Sequence, residues 1–402
     1  MIKSLLKNYL NKELMKSYML FVIGSLLIPI CKIFNKFIKF KITILPTSRI
    51  GHLVRNYDII LLKSKEDYLI FIGQDKKISN KFIFNFYKKN KNIFFSRVFK
   101  YLFYSISRVD PNSNLIINWD EFNPEFSFDL KHQSKIILPI YSKNRISEIF
   151  SKYGLNENFV GLHARNNLYT NKYASEDKNF HDYRNFNFID YKLAIDYLNK
   201  KKYSIVKLGE TFSEESLNNF KTKIFTSNDF EANEEIDYIL NKYSRYNVVG
   251  NTGLSNISSM LRKKTLYVNI APFNLGVIST CSPGSLILPK KFYCTKKKRF
   301  LTFKENNSIF PDHDTSIHSI SDPYKNKNLT VVNNSPEEIL DAVIEMEEII
   351  QNHNTNDESK MLNNLFWKKM ESSNNKKEID YLKNELKVSI SSKFLKNNQN
   401  LF

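Results

Sequence analysis

Short apolar runs separated by polar segments fill the chain from residue 41 onward, and their spacing predicts alternating strands and helices. The runs that predict strands are Lys41–Leu45, Asp58–Leu62, Tyr68–Ile72, Ile136–Ile140, Phe159–His163, Tyr203–Leu208, Lys223–Thr226, Asn247–Val249 and Thr265–Ile270. Helices are predicted at Phe82–Arg108, Asn187–Asn199, Ser213–Lys221, Glu234–Tyr243, Ser255–Arg262 and after Ser335. Strands that alternate with helices of about ten residues indicate a parallel sheet with helices on both faces.

The strand–helix pattern occurs on both sides of a polar linker near Ser151–Asn158. It predicts an α/β fold of two facing Rossmann-like domains, one at residues 41–155 and the other at residues 156–350. Residues 351–402 are rich in Asn and Lys but keep Phe366 and Trp367, which predicts a helical tail that packs back on the protein. Because open parallel sheets bind ligands beyond the carboxyl ends of their strands, the residues directly after each strand are the candidates for chemistry.

Residues 1–40 form a separate segment that is apolar and basic. Its apolar run Tyr18–Cys31 is about 14 residues long and contains Pro29, so we expect it to be shorter than the ~20 residues that cross a bilayer. Lysines precede and follow the run, which favours a helix that lies on an anionic cytoplasmic leaflet. A packing helix and a transmembrane anchor are the alternatives, and the residues after the run are a poor signal-peptide cleavage site.

The charge of the chain points to anionic partners. Lys and Arg number 60 against 41 Asp and Glu, a net charge of +19, which suits phosphate esters, nucleic acid or anionic lipid. The three cysteines, Cys31, Cys281 and Cys294, form no CxxC pair, so neither a disulfide scaffold nor a thiolate zinc site is expected. Asp312, His313, Asp314 and His318 lie close in sequence, but we interpret them as a solvated loop, not a metal site.

Two predicted strand ends carry charged residues. After the first strand, Gly51 would let the backbone approach a ligand, and Arg49 and His52 could bind phosphate or transfer a proton. After the strand at Phe159–His163, Arg165 is placed to offer two parallel hydrogen bonds to a phosphate. For the first strand end, the alternative is a turn glycine and a surface arginine without a ligand. For the second, it is an arginine that caps backbone carbonyls beside a core histidine.

A third strand end, Val249–Ser255, runs through a Gly-containing turn into a helix. Free N–H groups at such a helix start bind anions, although the sequence is neither a Walker loop nor G-x-G-x-x-G. An ordinary strand–turn–helix link is the alternative here. Lys207 and Glu210 end another strand and are expected to reach the same edge of the sheet.

Five segments together resemble a bacterial family of glycosyltransferases associated with surface-polysaccharide synthesis. The segments are R-I-G-H-L at 49–53, G-L-H-A-R at 161–165, H-D-Y-R-N at 181–185, V-K-L-G at 206–209 and G-N-T-G-L-S at 250–255. The H-A-R element is also similar to the His-x-Arg strand end of GT-B fucosyltransferases, whose arginine binds the donor diphosphate. Asn166 and Asn167 depart from that pattern, so a fucosyl donor does not follow.

The resemblance implies a GT-B-like fold with a nucleotide-sugar donor mainly in the C-terminal domain. An acceptor hydroxyl would attack the anomeric carbon while a nucleoside diphosphate leaves, by inversion or retention. The implied donor-binding residues are Arg165, Lys207, Gly209, Asn251, Thr252, Gly253 and Ser255. Implied acceptor or phosphate contacts are Arg49, Gly51 and Arg184. The candidate bases are His52, His163 and Asp182. No cofactor or metal is expected, because Arg165 and backbone N–H groups would neutralise the leaving group.

The expected partners are a nucleotide-sugar donor, a glycan or lipid-linked glycan acceptor and an anionic membrane surface. The expected location is cytoplasmic and peripheral on the inner face of the cytoplasmic membrane. A basic nucleic-acid-binding protein is the first alternative, and a membrane-associated scaffold without catalysis is the second. We expect no nucleic-acid partner, because the lysines are dispersed along the chain.

Overall fold

The computed structural model describes residues 2–118, 132–136, 138–168, 181–211, 217–230, 234–309, 324–351, 357–373 and 375–402, with side chains in the first helix from residue 15. The chain divides into two compact units. The first unit is Met1–Asp120 with Lys135–Leu138, and the second is Glu121–Ser134 with Pro139–Phe402. Each unit has its own parallel sheet, so the prediction of an α/β protein with a helical N-terminal segment is confirmed.

The first unit contains, among its described residues, a small three-stranded sheet and four helices. Its elements are α1 (Ile2–Phe37), β1 (Phe40–Leu45), α2 (Ile50–Lys63), β2 (Leu69–Gln74), α3 (Lys81–Tyr87), β3 (Ile93–Ser96) and α4 (Arg97–Val109). The strands pair in parallel in the order β1-β2-β3, with Phe40 opposite Leu69 and Ile70 opposite Ile93. Ile42 and Ile72 are fully buried and form part of the core beneath the helices.

Three predictions in the first unit were wrong. The run Asp58–Leu62 belongs to α2, because its apolar residues continue the buried helical face that starts at Leu53. A strand, β3, interrupts the predicted helical region Phe82–Arg108. The described residues of Ile136–Ile140 form no strand.

Helix α1 is longer than the sequence run suggested. Its portion Met15–Phe37 is 23 residues long and contains an 18-residue window that has a mean hydropathy of 1.9 and is 11% buried, which by length and composition suffices to cross a membrane. The prediction of a run too short to span was therefore wrong about length, since the helix continues past Pro29 and Lys32. One side of α1 packs on α4: a side chain at Gly24 would collide with the Ser105 carbonyl, and Ile28 is buried in this packing.

The second unit carries the larger sheet. Its helices are α5 (Lys143–Tyr153), α6 (Lys192–Lys200), α7 (Glu234–Tyr243), α8 (Ser255–Met260), α9 (Leu275–Ile278), α10 (Phe303–Ile309), α11 (Pro336–Ile350), α12 (Asp357–Met370), α13 (Lys376–Asp380) and α14 (Ser392–Asn397). Its strands are β4 (Phe159–His163), β5 (Ser204–Lys207), β6 (Ile224–Phe225), β7 (Asn247–Val249), β8 (Thr265–Ile270), β9 (Leu286–Pro289), β10 (Lys291–Cys294), β11 (Arg299–Phe300), β12 (Leu329–Val332) and β13 (Ser389–Ile390). Short 3₁₀ turns lie at Asp182–Arg184, Phe188–Tyr191, Lys325–Lys327 and Gln399–Leu401, and a π turn at Tyr381–Glu385.

Among the described residues, seven strands of the second unit form a sheet in the order β13-β9-β8-β7-β4-β5-β6. Every neighbouring pair in it is parallel. From β4 the chain builds outward through β5 and β6, then crosses to β7 on the other side of β4 and continues through β8 and β9. This is the doubly wound order, and its direction reverses between β4 and β7. Strands β10, β11 and β12 form a separate antiparallel sheet.

Several local predictions can be compared with this unit. Helix α11 begins after Ser335, as predicted, and Ser335 and Glu338 accept hydrogen bonds from each other's backbone N–H groups there. Helix α5 lies in the second unit, although the predicted domain boundary placed it in the first. Residues 217–221 of the predicted helix at Ser213–Lys221 are not helical, and residues 212–216 lie outside the described residues. All three cysteines are free.

Candidate functional site

The reversal of strand order brings three predicted strand ends to one edge of the large sheet. Strand β4 lies between β5 and β7, and its backbone bonds both neighbours near their ends. Leu208 N donates to Leu162 O over 2.8 Å, and Gly250 N donates to His163 O over 3.2 Å. Arg165, Gly209 and the turn after Gly250 therefore emerge side by side, at the position where doubly wound sheets bind ligands.

Arg165 is 9% exposed and holds the segment that follows the loop after β4. Its Nη1 donates to His181 O over 3.1 Å and also to the side-chain oxygen of Asn185. Phe186 N donates back to Arg165 O over 3.1 Å. The guanidinium thus has the capping role that the sequence left as an alternative, and it fixes residues 181–186 over the strand end.

A second cation, Lys290, reaches the same segment. It follows β9 directly, is 1% exposed, and its Nζ donates to Tyr183 O over 2.9 Å and to Asn185 O over 2.8 Å. Sequence reasoning missed this residue because strand β9 was not predicted. The apolar run at residues 286–289 followed by two lysines was the available signal.

The two cations share a site that is poor in bonded negative charge. Burial, with the charge of Arg184, lowers the pKa of Arg165 to about 9. Burial, with the charge of Arg165, lowers the pKa of Lys290 to about 7. Among the described residues, neither cation bonds a carboxylate. Since buried charges are normally paired, this edge of the sheet has the electrostatic character of an anion site.

His163, a candidate base, lies at the end of β4 behind Arg165. Burial and the charges of Lys207 and Arg165 lower the pKa of His163 to about 3, which keeps the ring neutral at physiological pH and makes it a weak base. Gly209 has φ +82, and a Cβ there would lie 2.7 Å from Leu254 Cδ1 and 3.4 Å from His163 Cδ2. A glycine is therefore required for the turn to pass so close to both side chains.

Lys207, a candidate donor-binding residue, is 4% exposed within β5. Its Nζ donates to Glu210 O over 3.1 Å, which closes the turn that contains Gly209. Lys207 thus adds positive charge close to His163 while it stabilises the turn.

The turn from Gly250 to Ser255 contains the other candidate donor-binding residues. Asn251, Thr252 and Gly253 are half-buried beside the strand ends. Ser255 N donates to Thr252 Oγ1 over 3.4 Å, and Ser255 Oγ donates to Thr252 O over 2.6 Å. Because α8 has only six residues and its first N–H group is used within the turn, the cations carry more of the site's positive potential than this helix start does.

The remaining candidates fall into two groups. Asp182 is exposed, and its Oδ1 accepts from Asn167 Nδ2 over 2.5 Å and from Asn185 Nδ2 over 3.2 Å, in the segment that Arg165 holds. Arg184 lies in the same segment, 5.9 Å from the Tyr183 ring centre. The other group belongs to the first unit: Arg49 is the exposed N-cap of α2, Gly51 is buried and His52 is half-buried in its first turn.

Metal-ligating side chains do not form a cluster in the part of the chain that the structure describes. No group of three or more His, Cys, Asp or Glu side chains there has an arrangement that could hold an ion. The loop with Asp312, His313, Asp314 and His318 lies outside the described residues.

No protein-family model and no curated protein sequence matches the chain. Among solved structures, it is similar to a glycosyl transferase family 9 protein from Veillonella parvula, with 12% identity and a TM-score of 0.46 over 78% of this chain and 97% of that one. It is similar to E. coli ADP-heptose LPS heptosyltransferase II, with 10% identity and a TM-score of 0.42 over 76% and 99% of the two chains. It is also similar to the iron-containing dodecameric glycosyltransferase TibC of enterotoxigenic E. coli, with 10% identity and a TM-score of 0.34 over 57% of this chain and 60% of that one. All three similarities are distant, and the activities in these names belong to those proteins.

Proposed function

We propose that this protein is a glycosyltransferase that binds the diphosphate of a nucleotide sugar where the strand order reverses between β4 and β7. One observation carries the proposal: Arg165 and Lys290 converge on Asn185, and among the described residues neither bonds a carboxylate. A diphosphate would supply the negative charge that Arg165 and the protonated form of Lys290 need. The family resemblance of the segments around these strand ends supports the same reaction class.

In the proposed reaction, an acceptor hydroxyl attacks the anomeric carbon and the bond from that carbon to the diphosphate oxygen breaks. The charge that develops on the diphosphate would be stabilised by Arg165 and Lys207, together with Arg184. Asn251, Thr252, Gly253 and Ser255 would line the neighbouring strand end. The low pKa of His163 argues against that ring as the base, whereas Asp182 is an exposed carboxylate in the segment that Arg165 fixes.

For the acceptor, we propose a glycan or lipid-linked glycan, reached from the inner face of the cytoplasmic membrane. Helix α1 exposes Leu26, Phe34 and Phe37, and it carries lysines that suit anionic headgroups. The middle of α1 packs on α4, which bears Arg97, Lys100 and Arg108. If α1 crossed the membrane, these charged residues of α4 would be drawn toward the apolar interior of the bilayer, which is costly. The packing therefore favours contact of α1 with the membrane surface.

The donor class can be tested by thermal denaturation of the full chain with nucleotide sugars that carry UDP, GDP, ADP, CMP or dTDP. Selective binding of one donor raises the melting temperature with its concentration, because the ligand binds the folded state. A donor that stabilises the protein should also release its nucleotide when an acceptor extract is added. No stabilisation by any of the donors would contradict the proposal.

A further inference from the structure

Lys290 has an unusual set of partners for a buried lysine. Its ammonium is bonded to two main-chain oxygens of one short turn, Tyr183 O and Asn185 O, and the same turn is held by Arg165 through the Asn185 side chain. A protonated lysine has three N–H donors, and the described bonds use two of them. The turn that Arg165 and Lys290 hold is therefore attached to the large sheet at the ends of both β4 and β9.

We propose that Lys290 is a positioning residue of the anion site, which fixes the Tyr183–Asn185 turn and takes up a proton when a phosphate-type anion binds beside Arg165. The proposal rests on the anion site of the proposed function and adds to it a residue and a pH dependence.

The charges around Lys290 make its protonation sensitive to a ligand. Arg165, at the end of β4, opposes the ammonium, and Asp190, in the 3₁₀ turn Phe188–Tyr191, favours it. Arg184 adds positive charge near Arg165. The neighbouring Lys291 is balanced by Glu338, whose Oε1 lies 2.7 Å from its Nζ. Asp182, in the same turn as Arg184, favours the charged form of Arg165. Of the two charges that act on Lys290 itself, the opposing charge of Arg165 has the larger effect on its pKa, and that of Asp190 the smaller.

An added anion changes this balance. Its negative charge would offset the repulsion from Arg165 and stabilise the ammonium form of Lys290, so binding and protonation favour each other. Burial and the charge of Arg165 lower the pKa of Lys290 to about 7 when no ligand is bound. Most Lys290 side chains are therefore neutral above this pH and charged below it. Anion affinity should therefore rise as the pH falls through 7.

Sulfate is a suitable probe because it keeps its double charge throughout this range. Its affinity for the full chain can be measured by thermal-shift titration at constant ionic strength, at about pH 6 and about pH 8, in the wild type and three variants. The variants are Lys290→Met, Lys290→Arg and the control Lys264→Met, which removes an exposed lysine of the same unit. Circular dichroism verifies that each variant is folded.

The proposal expects the wild type and Lys264→Met to bind sulfate about tenfold more tightly at the lower pH, the change that uptake of one proton produces. Lys290→Met should lose this difference, and Lys290→Arg, which stays charged, should bind at the higher pH as well as at the lower one. An unchanged pH dependence in Lys290→Met would overturn the proposal, and so would a wild type whose sulfate affinity does not depend on pH. Either result leaves the proposed function standing if the wild type still binds nucleotide sugars and Arg165→Ala weakens that binding.

Discussion

Arg165 and Lys290 hold the same residue: the Arg165 guanidinium donates to the side-chain oxygen of Asn185, and the Lys290 ammonium donates to its main-chain oxygen over 2.8 Å. The two cations follow different strands, β4 and β9, that are separated in the sheet by β7 and β8. Their meeting point is a loop segment, and both are buried. This is the arrangement on which the proposed anion site depends.

The turn at Gly209 provides a test of how tightly the strand ends pack. Gly209→Ala should destabilise the protein by about 2–4 kcal/mol, because a Cβ adds positive-φ strain and meets Leu254 Cδ1 at 2.7 Å. Gly154→Ala is the matched control: φ is +66 there, but no atom lies within 4 Å, so only the strain of about 1 kcal/mol remains. Urea denaturation of both variants measures the difference, and equal losses would mean that the turn has room for a side chain.

A half-buried acid on α7, Asp237, should give the protein a recognisable pH dependence. Burial and the charges of Glu234 and Glu210 raise the pKa of Asp237 from 3.8 to about 6. The folded protein therefore binds a proton that the unfolded chain has released between these values, so this group's contribution to stability falls as pH rises from about 4 to about 6 and stays low above that.

Asp237→Asn should accordingly increase the free energy of unfolding by about 1–2 kcal/mol near pH 8 and change it little near pH 4. Denaturant unfolding at the two pH values measures this. Asp341→Asn is the control, because Asp341 is ion-paired with Lys393 on α14. If Asp237→Asn destabilises the protein at the higher pH, the carboxylate has a compensating partner and the electrostatic interpretation is wrong.

The membrane contact can be tested on α1 without deleting it. Leu26 and Phe34 are 67% and 60% exposed, and their replacement by Glu should reduce binding to vesicles of anionic phospholipid about tenfold or more, because each loses apolar burial and adds negative charge. Ile140→Glu, at a residue 86% exposed in the second unit, should leave binding unchanged. Co-sedimentation measures all three. Equal losses in the three variants, or a wild type that only detergent extracts from membranes, would contradict a peripheral contact through α1.

How far the sequence predicts this fold depends on how unambiguous each run is. The predicted bounds of β8 and α7 match the structure to the residue, since β8 is a short, largely apolar run and α7 has clear helical periodicity. The run Asp58–Leu62 suits a strand or a helix equally well, and only its continuation from Leu53 on α2 decides between them.

The sequence predicts the part of the candidate site at the ends of β4, β5 and β7, but not Lys290 or the loop contacts of Arg165. Arg165, Gly209 and the turn after Gly250 follow strands whose order in a doubly wound sheet places their ends side by side, so sequence reasoning could bring them together. Lys290 is far from Arg165 in sequence and meets it only because β9 lies in the same sheet. The hydrogen bonds of Arg165 to residues 181–185 depend on a loop conformation that no periodicity encodes.

The central claim is that Arg165 binds the diphosphate of a nucleotide sugar, and calorimetric titration of the selected nucleoside diphosphate tests it most directly. The titration is carried out on the wild type, Arg165→Ala, Arg165→Lys and the control Arg145→Ala, which removes an exposed arginine of α5. Arg165→Ala should weaken binding about 10- to 150-fold, the value of a charge-assisted bidentate pair of about 1.5–3 kcal/mol, and should lower the melting temperature because Arg165 also holds His181 and Asn185. Arg165→Lys should recover part of the affinity, and Arg145→Ala should bind as the wild type does. A lower melting temperature with unchanged affinity per folded molecule would show that Arg165 only supports the loop, and would contradict the account.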